Sequence, residues 1–192
     1  MHRRFLGLAP LLAVAVLAVA PAVSQAEPHW YMGSTPLKEG KKMVVKTEGK
    51  LLFSIPGTTI QVSCGVKDVE VLLNPVGGGA GVDVMKSFKL SSCGPNPCPV
   101  LASGKQGPLK VNALKLPWAS RLVEVPPIAD EISGIELEFT CKKAPFITVS
   151  GTLFPWVKEG LLEFTTATGT LSGMTVTGID LISPPTITAK NP

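Results

Sequence analysis

The chain has 192 residues, 18 basic against 14 acidic, and 45% of it is hydrophobic. A formal charge of +4 is too small to make nucleic acid an electrostatic partner, and 18 prolines spread along the chain exclude long helices. The only histidines are His2 and His29, so the body of the chain has no ring for a Ser-His-Asp or Cys-His arrangement.

In chain order, the first element is an export signal. His2, Arg3 and Arg4 form a basic start, and Phe5 to Val23 is apolar, interrupted by Gly7, Pro10 and Pro21. Ser24 and Ala26 then put small residues where a signal peptidase needs them for a cut before Glu27. The pattern predicts a signal peptide over residues 1–26 and a single secreted domain over 27–192. Pro21 and the cleavage site argue against a retained anchor, and no cysteine lies near the cut to take a lipid. No later stretch approaches the ~18 apolar residues of a spanning helix, so no membrane span is expected after processing. Without Arg3 and Arg4 the balance is 16 basic to 14 acidic residues, a net +2.

Beyond Trp30-Tyr31 the sequence alternates. Ile60, Val62 and Cys64 share one face, and Val69, Val71 and Leu73 repeat the pattern around Glu70. Phe88 and Leu90 flank Lys89, and Leu109, Val111 and Ala113 alternate with Lys110 and Asn112. Ile135, Leu137, Phe139 and Cys141 form the clearest series, against Glu136, Glu138 and Thr140. Ile147, Val149, Gly151 and Leu153 follow, then Leu162-Glu163-Phe164 and Met174-Thr175-Val176. Turn residues such as Asn74-Pro75, Gly77-Gly78-Gly79 and Gly94-Pro95-Asn96-Pro97 separate the runs. The reading is all-β: an antiparallel β-sandwich or closed β-barrel of about 10–12 short strands.

The four cysteines, Cys64, Cys93, Cys98 and Cys141, read as two disulfides in an exported chain. Cys64 and Cys141 both lie on apolar faces of strands, which favours a bond between them, with Cys93 and Cys98 closing a Gly/Pro-rich loop. Cys64–Cys93 with Cys98–Cys141 is the open alternative.

Candidate chemistry is sparse. No catalytic residue, metal site or cofactor is assigned. Glu136 and Glu138 share a strand face and Glu159 and Glu163 are a second carboxylate pair, but alternating glutamates ordinarily form a wet face. Asp130-Glu131 lacks the oxygen donors of a calcium loop, and Gly77 to Gly81 lacks the Gly-Lys-Ser/Thr of a phosphate loop. The aromatic residues Trp30, Tyr31, Trp118 and Trp156 are the candidate ligand-binding set, for stacking on sugar rings, with plugging of the domain ends as the competing role. Leu116-Pro117-Trp118 and Phe154-Pro155-Trp156 head two similar segments, which suggests a duplicated corner.

The order Trp30-Tyr31, Val62-Ser63-Cys64, Asn74-Pro75-Val76 with the glycines to Gly81, Cys93, Cys98-Pro99, Leu116-Pro117-Trp118, Asp130 to Ile135 and Thr140-Cys141 resembles a group of uncharacterised secreted proteins from actinobacteria. The resemblance implies export and the cysteine framework, and carries no catalytic residue. The expected function is a non-enzymatic extracellular or cell-envelope protein that binds or scaffolds, with cell-wall glycan as a candidate partner. The alternatives are a barrel carrying a small apolar ligand, and a secreted carboxylate-dependent hydrolase.

Overall fold

The structure is a computed structural model that describes residues 26–54, 57–125, 127–141, 144–164, 169–171, 174–183 and 186–192. The expected signal peptide, Ala26 excepted, lies outside the described residues. The strands are β1 (His29–Met32), β2 (Thr35–Pro36), β3 (Met43–Ser54), β4 (Gln61–Leu73), β5 (Val82–Gly94), β6 (Leu109–Leu114) and β7 (Trp118–Val123), followed by β8 (Ala129–Cys141), β9 (Ala144–Leu153), β10 (Trp156–Lys158), β11 (Leu161–Phe164), β12 (Gly169–Leu171), β13 (Thr175–Ser183) and β14 (Ile187–Lys190). The described residues contain no helix.

Eight antiparallel strands close into a barrel in the order β10-β11-β13-β3-β4-β5-β7-β8. The seam is short: Trp156 pairs with Ala129, the Asp130 amide donates to the Pro155 carbonyl, and the Val157 amide donates to the Ile128 carbonyl, both at 2.9 Å. β8 belongs to the barrel only in its first half, where Ala129–Ser133 pairs with β7. A register shift between Ile132 and Ile135, with Gly134 at φ 71°, then turns it away. Its second half runs between β6 and β9, and β12 extends β9, making a four-stranded flap. Phe139 of the flap meets Phe53 of β3 edge-to-face at 5.6 Å, so barrel and flap share one core. The barrel end formed by the last residues of β4 and β7 is plugged by Trp30 of the small sheet β14-β1-β2.

Asn74 fixes that plug. Its side chain accepts from the Trp30 amide at 2.8 Å and donates to the carbonyls of Trp30 and Leu37, each at 3.0 Å. The site is tight: a Cβ on Gly81 would stand 2.7 Å from the Trp30 ring and 2.9 Å from Leu122. Inside the wall, Gly49 of β3 and Gly178 of β13 let two strands approach closely. A Cβ on either would lie 2.0 Å from a carbonyl oxygen of the other strand, Ile179 and Lys50 respectively.

The expected alternation holds in the flap and needs correction in β4. Ile135, Leu137 and Phe139 are buried, as are Val149 and Leu153. On β4, however, Val62, Cys64, Val66, Asp68, Glu70 and Leu72 point inward, while Val69, Val71 and Leu73 are half-buried on the outer wall. The irregularity is on the neighbouring strand. Val69 pairs with Ser87 and Glu70 with Met85, so β5 carries the extra residue and β4 keeps its parity for its whole length.

Two disulfides are present, and they follow the alternative pairing, Cys64–Cys93 and Cys98–Cys141. The expected Cys64–Cys141 bond fails because an inward face does not make two strands neighbours: β4 pairs with β3 and β5, and β8 pairs elsewhere. Cys64 and Cys93 sit at the irregular step where Ser63 pairs with Gly94, with Cα atoms 4.1 Å apart. Cys98 ties the loop before β6 to the end of β8.

Candidate functional site

The four aromatic candidates do not form one surface. Trp30 is fully buried and Trp118 is 3% exposed, so neither offers a face for stacking. Trp118 donates its Nε1–H to the Leu114 carbonyl at 2.9 Å and packs on Phe88 at 5.2 Å. Tyr31 is 9% exposed beneath the Lys190 ammonium, and Trp156 is half-buried with Lys158 at 5.9 Å from its ring. Trp118 and Trp156 each begin a strand that flanks β8, which is where the two Pro-Trp corners come from.

The carboxylate candidates are surface groups. Glu136 is bound by Lys115 at 2.5 Å, and Glu138 stands between Asn112 and Thr148 on the adjoining strands. Glu163 pairs with Lys158, and Glu159 is exposed. Asp130 and Glu131 face opposite ways, Asp130 into the barrel and Glu131 out to Arg121 at 2.6 Å. His29 is placed to hydrogen-bond the Gly79 carbonyl at 3.0 Å, an anchor for the glycine turn. Among the described residues, no group of three His, Cys, Asp or Glu is placed to hold a metal ion.

The interior holds what the alternation pattern missed. Asp68, Glu70, Asp83, Asp130 and Asp180 are each at most 3% exposed, and no Lys, Arg or His is buried among the described residues. Four of the five form two bridged pairs. Thr47 of β3 contacts Asp68 and, at 2.9 Å, Asp180. Ser120 of β7 contacts Asp83 and, at 2.5 Å, Asp130. The registers are equivalent. Thr47 is directly across from Asp68, and Asp180 is across from Gly49, two residues further along β3. Ser120 is directly across from Asp83, and Asp130 is across from Leu122, two residues further along β7. A pseudo-twofold axis between β4 and β5 therefore exchanges β3 with β7 and β13 with β8.

Glu70 has no such bridge, and its buried Oε1 has no hydrogen-bond partner. Burial, followed by the surrounding acids Asp68, Asp83, Asp130 and Asp180, pushes its carboxyl well above the usual range. Burial is also the first cause for the other four. It raises Asp83 to about 6 and Asp180 to about 8, raises Asp130 well above its ordinary value, and raises Asp68 against the opposing hydrogen bonds. Apolar layers close the belt on both sides, with Val45, Leu72 and Leu122 toward the plug and Leu51, Phe53, Met85, Trp118 and Ile132 toward the flap. The void on the flap side is about 20 Å³, enough for about one water.

A roomy concavity lies on the outside. A groove of about 670 Å³ runs across β13, β3, β4 and β5. Its two rows follow the strand registers: Ser183, Lys46, Val69 and Ser87, then Leu181, Glu48, Lys67 and Lys89. Three ammonium groups face one carboxylate, and that carboxylate is held by Lys67 at 2.8 Å. Leu181, 57% exposed, supplies an apolar wall. Net charge hid this feature, because the lysines are dispersed in sequence and gathered only by strand pairing. No protein-family model, no curated protein and no solved structure matches the chain, and the residues themselves carry the functional reading.

Proposed function

We propose that the chain is a non-enzymatic extracellular binding module that takes an acidic glycan on the outer wall of a filled barrel. The observation that carries this is the contrast in room: about 670 Å³ in the lysine groove against about 20 Å³ inside. Ligand pockets need ~300–1,000 Å³, and the void between belt and flap is far smaller than that, so the groove is the better reading, although a β-barrel is also compatible with a carrier of a small apolar ligand. Hydrolysis by carboxylates is disfavoured because the strongly perturbed acids are sealed in the belt, while Glu136 and Glu163 are engaged by lysines. Lys46, Lys67 and Lys89 suit carboxylates or sulfates spaced along a polymer, and Leu181 with half-buried Val69 suits the C–H faces of sugar rings. Two disulfides fit an oxidising compartment.

Polygalacturonate is a suitable probe, with dextran as the uncharged control. Binding to polygalacturonate should weaken with salt. It should fall roughly 10-fold in the Lys46→Gln/Lys67→Gln/Lys89→Gln variant, at about 0.5 kcal/mol for each exposed lysine. Equal binding of dextran, or an unchanged affinity in the variant, would exclude the groove.

A further inference from the structure

We propose that the carboxyl belt is a proton-loaded device: each hydroxyl bridge holds a shared proton, Glu70 is neutral, and shedding these protons loosens the barrel. The assignment rests on hydrogen counting. A hydroxyl has one proton to donate. Thr47 Oγ1 lies between Asp68 Oδ1 and Asp180 Oδ2, and the two carboxyls are also within hydrogen-bond reach of each other, where two ionised groups would set only lone pairs against lone pairs. One of the two must therefore carry a proton and donate it. Ser120 imposes the same condition on Asp83 and Asp130. Glu70, with a buried and unpartnered oxygen and four neighbouring acids, has nothing to stabilise a negative charge.

Every strand around the belt agrees. β4 presents Asp68 and Glu70, β5 Asp83, β8 Asp130 and β13 Asp180. β3 and β7 present the hydroxyls Thr47 and Ser120, while β10 and β11 present Val157, Leu162 and Phe164. No cation faces in. From the outer wall, Glu48 adds repulsion to Asp180 and Glu131 adds it to Asp130. The outer lysines of β3 and β4, including Lys46 and Lys67, and Arg121 of β7 are solvated and point away.

The sign of the effect follows. An acid whose folded pKa is raised contributes its stability fully below the unfolded value near 4, and loses it as pH rises through the folded value. For this belt the loss runs from about pH 4 through about 6, where Asp83 titrates, to about 8 for Asp180. The fold is therefore acid-favoured, opposite to a protein whose carboxylates are held by cations.

Denaturant unfolding of the full chain from pH 4 to pH 8 tests it. The folding equilibrium constant should fall about 10-fold per pH unit for each proton shed. In the Glu70→Gln/Asp130→Asn/Asp180→Asn variant, whose amides imitate the protonated acids, most of that slope should vanish. A stability that is flat or rising over this range in the unaltered protein overturns the proposal, as does an unchanged slope in a folded variant. Infrared spectra of the unaltered protein at pH 7 give a readout that needs no variant. The carbonyl stretch of protonated carboxyl groups should be present in the folded state and disappear on unfolding, and its absence from the folded state overturns the proposal.

Discussion

The two halves of β8 obey different rules. Beyond Gly134 the strand is an amphipathic flap, with Ile135, Leu137 and Phe139 buried and Glu136 and Glu138 on the outer face. Before Gly134 it is barrel wall, and the inward side chains are Asp130 and Ile132. The flap is held by apolar burial, which is insensitive to pH. The wall includes acids that can be buried only with their protons. One strand thus contains a pH-independent segment and a pH-dependent one, a few residues apart.

Phe139→Ala removes a ring that is 1% exposed and packed on Phe53, and should cost about 3–5 kcal/mol, equally at pH 5 and pH 8. A cost that changes with pH would erase the distinction between the halves. The flap is also tied by Cys98–Cys141, whose sequence separation of 43 corresponds to about 4 kcal/mol in the chain-entropy treatment. The Cys98→Ala/Cys141→Ala variant should lose about that much in thermal or urea unfolding, and peptide mapping of the unreduced protein should yield this linkage and Cys64–Cys93. The smallest effect is in the wall. Asp130→Asn should leave stability unchanged at pH 4 and raise it by about 1–2 kcal/mol at pH 8, because the amide needs no proton where the acid must keep one. Unfolding curves at the two pH values check it, and a loss at pH 8 would mean that Asp130 is held ionised.

The flap and the all-β class were legible in the sequence because alternation and the inside–outside rule agree there. β4 was not, because Val69, Val71 and Leu73 form as good an apolar series as Val62, Cys64 and Val66, and only one series can face inward. The usable signal was continuity: carrying the parity of Val62 and Cys64 forward puts Asp68, Glu70 and Leu72 inside. What pattern reasoning resists is a buried acid, and here the compensation comes from protons and hydroxyls on other strands. The cystines failed differently. Parity identified the face of Cys64 correctly, but the partner depends on strand order, which one sequence does not display. The outer groove was illegible for the same reason, since Lys46, Lys67 and Lys89 meet only through pairing.

The pseudo-twofold relation between the bridged pairs has a consequence for the history of the fold. Along the chain, one set reads Thr47, Asp68, Asp180 and the other Asp83, Ser120, Asp130, so the hydroxyl comes first in one and second in the other. Tandem duplication preserves the order of what it copies, and no simple duplication yields both sets. The two bridges are thus two separate arrivals at one packing solution, imposed by the barrel rather than inherited from a repeat. Their trace among homologues would be pairwise constraint, hydroxyl with acid across neighbouring strands, with no sequence repeat relating the two sets.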